Sequence, residues 1–134
     1  SDFSLGLLAR GPNVSAASRS LHLLVVEPDP ALRRMMRVVF ESGGHVVQTA
    51  GHLLEAFALF SVFDPDVVIV DWALVEESGD NSYFELVLSR AGLVICSGYQ
   101  DGERVAEAFN VPYVNKPFEL SELEDAVWRA LPAN

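Results

Sequence analysis

Five side chains in this sequence suit phosphoryl chemistry and fall at positions a fold could gather: Glu27, Asp29, Asp71, Ser97 and Lys116. Each stands just after a short apolar run. A carboxylate can attack phosphorus and form an acyl phosphate. Acceptor and donor are both anionic, so such a transfer needs positive charge around the moving group. Lys116 supplies one charge, and a divalent ion would supply the rest. Magnesium suits that part, because it prefers oxygen ligands and keeps several waters. Singly, each residue has an ordinary explanation. Acids after a strand cap the next helix, Ser97 fits a turn, and Lys116 fits a solvated surface. The chemistry requires elements that bring all of these places to one rim.

The periodicity provides such elements. Leu21 to Val26 (LHLLVV) has the composition of a strand buried on both faces. Pro30 suits a first helical turn, with Leu32, Met35, Met36, Val39 and Phe40 on one stripe and Arg33, Arg34, Arg37 and Glu41 opposite. Gly43 and Gly44 end that helix. His45 to Thr49 is a weaker strand, and a helix follows with Leu53, Ala56, Phe57 and Phe60 on one side. Asp66 to Val70 (DVVIV) is the strongest strand signal. Glu76 to Arg90 reads as the third helix, Leu93 to Cys96 as the fourth strand and Asp101 to Phe109 as a short helix. Pro112 to Val114 is a fifth strand, and Leu120 to Leu131 a last helix in which Ser121 and Glu124 have capping-box spacing. Strand and helix in repeated alternation predict an α/β fold, a doubly wound five-stranded parallel sheet in the order 2-1-3-4-5. In that topology the functional rim lies at the carboxyl ends of the strands, after Val26, Val70, Cys96 and Val114.

Length and composition set the frame. The 134 residues, half of them hydrophobic, fit one domain over 21–131. Residues 1–20 read as a flexible N-terminal arm and 132–134 as a short tail; Leu5, Leu7 and Leu8 are unusual for a purely solvated arm. The net charge of −10 disfavours nucleic acid and points to protein partners. No run suits a membrane span or a secretory signal, and the single Cys96 cannot form an internal disulfide. A cytoplasmic setting is the expectation. Trp128, beside the last helix's apolar stripe, predicts a partner surface or partial burial. With the leucines of the arm it is compatible with a homodimer. Cys96, Met35 and Met36 read as core, and His22, His45 and His52 receive no functional role.

The segments LLVVEPDPALRR, DVVIVDW, VICSGY and YVNKPFEL, in this order, make residues Leu21 to Leu131 resemble the receiver domain of two-component response regulators. The resemblance implies a flavodoxin-like receiver fold with Asp71 as phosphoacceptor. It further implies Ser97 as the hydroxyl that binds the phosphoryl oxygens, Lys116 as its ion-pair partner, and Ser97 with Tyr113 as the switch. A magnesium ion would be held by Glu27, Asp71 and the backbone carbonyl of Ala73, with Asp29 as a weak candidate. A histidine kinase or histidine phosphotransfer protein would be the donor and a downstream protein the target. The domain would be a signalling module rather than a metabolic enzyme, although it can assist its own phosphotransfer and dephosphorylation. Lys116–Pro117 is a candidate cis peptide.

The pattern is broken in two places. The family carries two adjacent acids after its first strand, whereas Glu27 here precedes Pro28, which has neither carboxylate nor N–H. Weakened magnesium binding is the expectation. Asp29 either compensates or caps the first helix, and the second reading is preferred. After Asp71 comes ALVEESGDN in place of a Pro- and Gly-containing loop. Trp72 either shields the acyl phosphate or packs locally. A pseudo-receiver, acting as a phosphorylation-independent interaction module, is the alternative that Pro28 favours. A flavin carrier lacks its glycine-rich phosphate loop, and a haloacid-dehalogenase-type phosphatase lacks a second Asp at position 73.

Overall fold

The computed structural model describes residues 19–79, 82–98 and 100–132. The arm expected over 1–20 and the tail over 132–134 lie outside these residues, apart from Arg19, Ser20 and Pro132. The described residues include five strands: β1 (His22–Val26), β2 (Val46–Ala50), β3 (Val67–Asp71), β4 (Gly92–Ser97) and β5 (Tyr113–Asn115). They form one sheet in the order β2-β1-β3-β4-β5, every pair parallel, as the alternation predicts. Most strands end one residue later than the apolar runs suggest. The ladder includes polar ends, pairing Asp71 with Cys96 and Ser97 with Asn115. Among the described residues, no helix is long and apolar enough to cross a membrane.

Because side chains alternate across a strand, β1, β3 and β4 each feed two cores. One face gathers Leu24, Val26, Val68, Val70, Leu93 and Ile95. It is covered by α2 (Leu53–Phe63), α3 (Trp72–Ser78), α4 (Ser82–Arg90) and α5 (Gln100–Phe109). The other gathers Leu23, Val25, Val67, Ile69, Val94 and Cys96 beneath α1 (Pro30–Ser42) and α6 (Leu120–Ala130). Gly92 opens β4 where α6 ends, and a Cβ there would stand 2.2 Å from the Ala130 carbonyl oxygen. Only glycine permits that approach.

Several expectations need correction. The single helix expected over Glu76–Arg90 is two helices, α3 and α4, because α3 starts directly after Asp71 and stops at Gly79 in the left-handed region (φ 67°). The capping box belongs to Glu119 and Glu122 rather than Ser121 and Glu124. Helix α6 begins at Leu120, which puts Ser121 inside its first turn, and the Glu119 N–H donates to Glu122 Oε1 at 2.8 Å. Trp72 packs edge-on against Phe84 with ring centroids 5.1 Å apart, so its indole belongs to the core. Trp128 is half-buried against the opposite core and lies edge-on to His45 at 5.8 Å, the bland one of its two readings. The histidines are structural, but two of them hold backbone: His45 Nδ1 accepts from the Leu21 N–H at 3.0 Å, and His52 caps α2.

Candidate functional site

Parallel ladders bring Glu27, Asp71, Ser97 and Lys116 to the carboxyl edge of the sheet. Glu27 follows β1, Asp71 ends β3, Ser97 ends β4 and Lys116 follows β5. Glu27, Asp71 and Ser97 are the buried polar residues among those described, at 2%, 7% and 1% exposure. Burying carboxylates is costly unless they are paired and hydrogen-bonded. Here Lys116 Nζ donates to Glu27 Oε1 at 2.7 Å and, more closely still, to Asp71 Oδ2. The remaining oxygens are satisfied by backbone: Asp71 Oδ1 accepts from the Ala73 N–H at 2.8 Å, and Glu27 Oε2 from the Asp29 N–H at 3.0 Å. Two anions therefore share one cation. Burial alone would lower the Lys116 pKa, but its hydrogen bonds to Asp71 and Glu27 prevail and hold it above the ordinary lysine value. The peptide from Lys116 to Pro117 is cis, as anticipated.

The Ser97 carbonyl oxygen receives two bonds from β5 and its exit. The Lys116 N–H donates to it at 2.9 Å and the Tyr113 hydroxyl at 3.0 Å. The same hydroxyl lies 3.2 Å from Asn115 Oδ1. Burial is the main reason that the Tyr113 phenol titrates above its usual range. Cys96, behind the site, is pushed up to about 12 by burial, so its thiol stays protonated and serves as core filler.

Asp29 and Ala73, the other two residues of the expected metal set, each donate a backbone N–H to a rim carboxylate. Asp29 Oδ1 accepts from the Ala31 N–H at 3.0 Å and caps α1, so its carboxylate is engaged there. Ala73 is the second residue of α3, directly after the Asp71 that caps this helix. No cluster of three acidic, His or Cys side chains able to hold a metal occurs among the described residues. What remains, the carboxylates of Glu27 and Asp71, is an all-oxygen pair. It fits a magnesium ion that keeps most of its waters and takes a further oxygen from a phosphoryl group.

Sequence reasoning missed Arg33. Read as part of a solvated face, it reaches back so that Nη1 donates to the Glu27 carbonyl oxygen at 2.7 Å, fixing the turn through Pro28. Its position was readable only as the helix face nearest the strand end. An apolar cleft beside the site is lined by Leu32, Met35, Lys116, Pro117 and Phe118.

Comparison with known proteins agrees with this architecture. The family profile of the response regulator receiver domain matches residues 23–128. The chain is 32% identical over 114 residues to the regulatory protein AtoC of Escherichia coli K12, covering 81% of this chain and 25% of AtoC. It is 29% identical over 123 residues to the transcriptional regulatory protein PdtaR of Mycobacterium tuberculosis H37Rv, covering 87% of this chain and 60% of PdtaR. It thus spans only part of either relative. The receiver domain of the Francisella response regulator 1452 superimposes with a TM-score of 0.67 at 22% identity, over 82% of this chain and 98% of that one.

Proposed function

The chain belongs to the response regulator receiver domain family, and from that premise we propose that it is a phosphoacceptor switch that takes a phosphoryl group on Asp71. One observation carries the reading. A single ammonium, Lys116 Nζ, bridges the buried carboxylates of Glu27 and Asp71 beside the Ser97 strand end. An Asp71 oxygen forms the new bond to phosphorus as the donor's bond to it breaks. Lys116 moves its contact from the carboxylate to the incoming phosphoryl oxygens, offsetting their charge. The Ser97 hydroxyl then donates to one of those oxygens, and the surface around Tyr113 responds. Receiver domains typically bind magnesium. The ion would be held by Glu27 and Asp71, where it adds positive charge to the transfer.

Histidine kinases and downstream effectors are the partners with which receiver domains interact. For this chain a kinase or a histidine phosphotransfer protein is the proposed donor, in a cytoplasmic setting. The apolar cleft at Leu32, Met35 and Phe118 gives a donor protein a surface beside Asp71. Incubating the chain with acetyl phosphate and magnesium, then measuring intact mass, tests the proposal. One added phosphoryl group on the wild type and none on Asp71→Asn is the expected result. An unmodified wild type at any magnesium concentration defeats it.

That negative outcome would instead support a pseudo-receiver, a module that binds its partner without phosphorylation. One feature favours this second reading: Pro28 stands where the second acid belongs.

A further inference from the structure

Helix α5 contains a glycine that its backbone does not require. Gly102 is buried, the third residue of α5, and its φ lies outside the left-handed region. Glycine is the poorest helix former after proline, so an ordinary helical site has no conformational use for it. The reason is space. A Cβ on Gly102 would stand 2.6 Å from Ser97 Cβ, 3.0 Å from Ser97 Oγ and 3.2 Å from Tyr113 Cε1. The helix backbone rests directly on the two side chains that the proposed switch uses.

Only one side of this contact can yield readily. Ser97 is pinned in the ladder opposite Asn115, and its carbonyl oxygen takes both the Lys116 N–H and the Tyr113 hydroxyl. Helix α5 is held to the sheet chiefly by packing, through Ala106 and Val105 in the core. We infer that Gly102 is a positioning residue that seats α5 on Ser97 and Tyr113, so that a displacement of either side chain passes to α5 with no intervening side chain. The inference rests on the switch reading, because a phosphoryl group on Asp71 supplies the displacement. An added methyl group would lift the first turn of α5 and break that transmission while leaving Asp71 and Lys116 in place.

The test uses the full chain as wild type, Gly102→Ala and the double variant Ser97→Gly with Gly102→Ala. Helical Gly→Ala changes normally stabilise. Here Gly102→Ala is expected to lower Tm by several degrees, and removing the Ser97 Cβ in that background to recover most of the loss. After acetyl phosphate treatment, amide exchange across residues 100–109 should change in the wild type. In Gly102→Ala that change should be lost, although intact mass shows phosphoryl uptake. A Gly102→Ala variant that melts at or above the wild type, or that retains the exchange response, overturns the inference. So does failure of the double variant to recover. A wild type that takes no phosphoryl group defeats the switch reading, and the melting comparison then decides the seating of α5 independently.

Discussion

Lys116 is the residue on which the electrostatics of the rim depend. It neutralises two carboxylates whose side chains are only 3% and 9% exposed. Replacing it with Met removes the shared cation and leaves both anions facing one another. We expect Lys116→Met to lose about 3–5 kcal/mol at neutral pH, the range for removing one partner of a buried ion pair. Urea unfolding of the two proteins at pH 7 would read the difference. His45 gives a pH effect with a clear sign. Burial lowers its pKa, and the neutral ring accepts the Leu21 N–H at 3.0 Å. The unfolded imidazole takes a proton more readily than the folded one. This contribution is therefore present above the unfolded value of about 6.5 and fades as pH falls through the lowered folded value. Thermal melts between pH 7.5 and 5 should show a steeper decline in the wild type than in His45→Gln.

Elements, rather than single residues, were the legible part of this sequence. The runs LHLLVV and DVVIV are almost wholly apolar because helices cover both faces of the sheet, and that pattern marked them as buried parallel strands. The order followed from the usual arrangement of a five-stranded doubly wound sheet. Boundaries were less readable, since Asp71 and Ser97 look like loop residues yet pair within the ladder. The break between α3 and α4 was obscured by the polar stretch EESGDN, which interrupts the helical stripe without naming which side of Gly79 is helical. The rim's members could be located because parallel topology sends every strand end to one edge. Their contacts could not. Arg33 reaching Glu27, or Gly102 against Ser97, depends on how helices sit over the sheet. The same dependence makes Gly92 a sensitive position. A methyl group there meets the Ala130 carbonyl, which as backbone has no rotamer to give way, so α6 must shift. Gly92→Ala should cost about 3 kcal/mol, the upper part of the overpacking range, read as a lower urea midpoint.

Charge is distributed unevenly over the whole molecule. The chain carries −10 overall, yet three of its nine Lys and Arg residues, Arg33, Arg34 and Arg37, sit on α1 and line one shallow cleft with Pro30 and Thr49. Self-repulsion among the remaining acids opposes compaction. Raising sodium chloride to about 0.15 M shortens the Debye length to about 8 Å, and Tm should rise as a result. A flat or falling Tm would mean that local ion pairs such as Lys116 with Glu27 outweigh the long-range field. The Ser97 carbonyl oxygen joins these scales. A phenol and an amide hang from that single atom, 3.0 and 2.9 Å away. One strand end on β4 thus anchors both the Tyr113 ring and the backbone from which the Lys116 side chain departs, so a change in Ser97 reaches the tyrosine and the lysine from the same place.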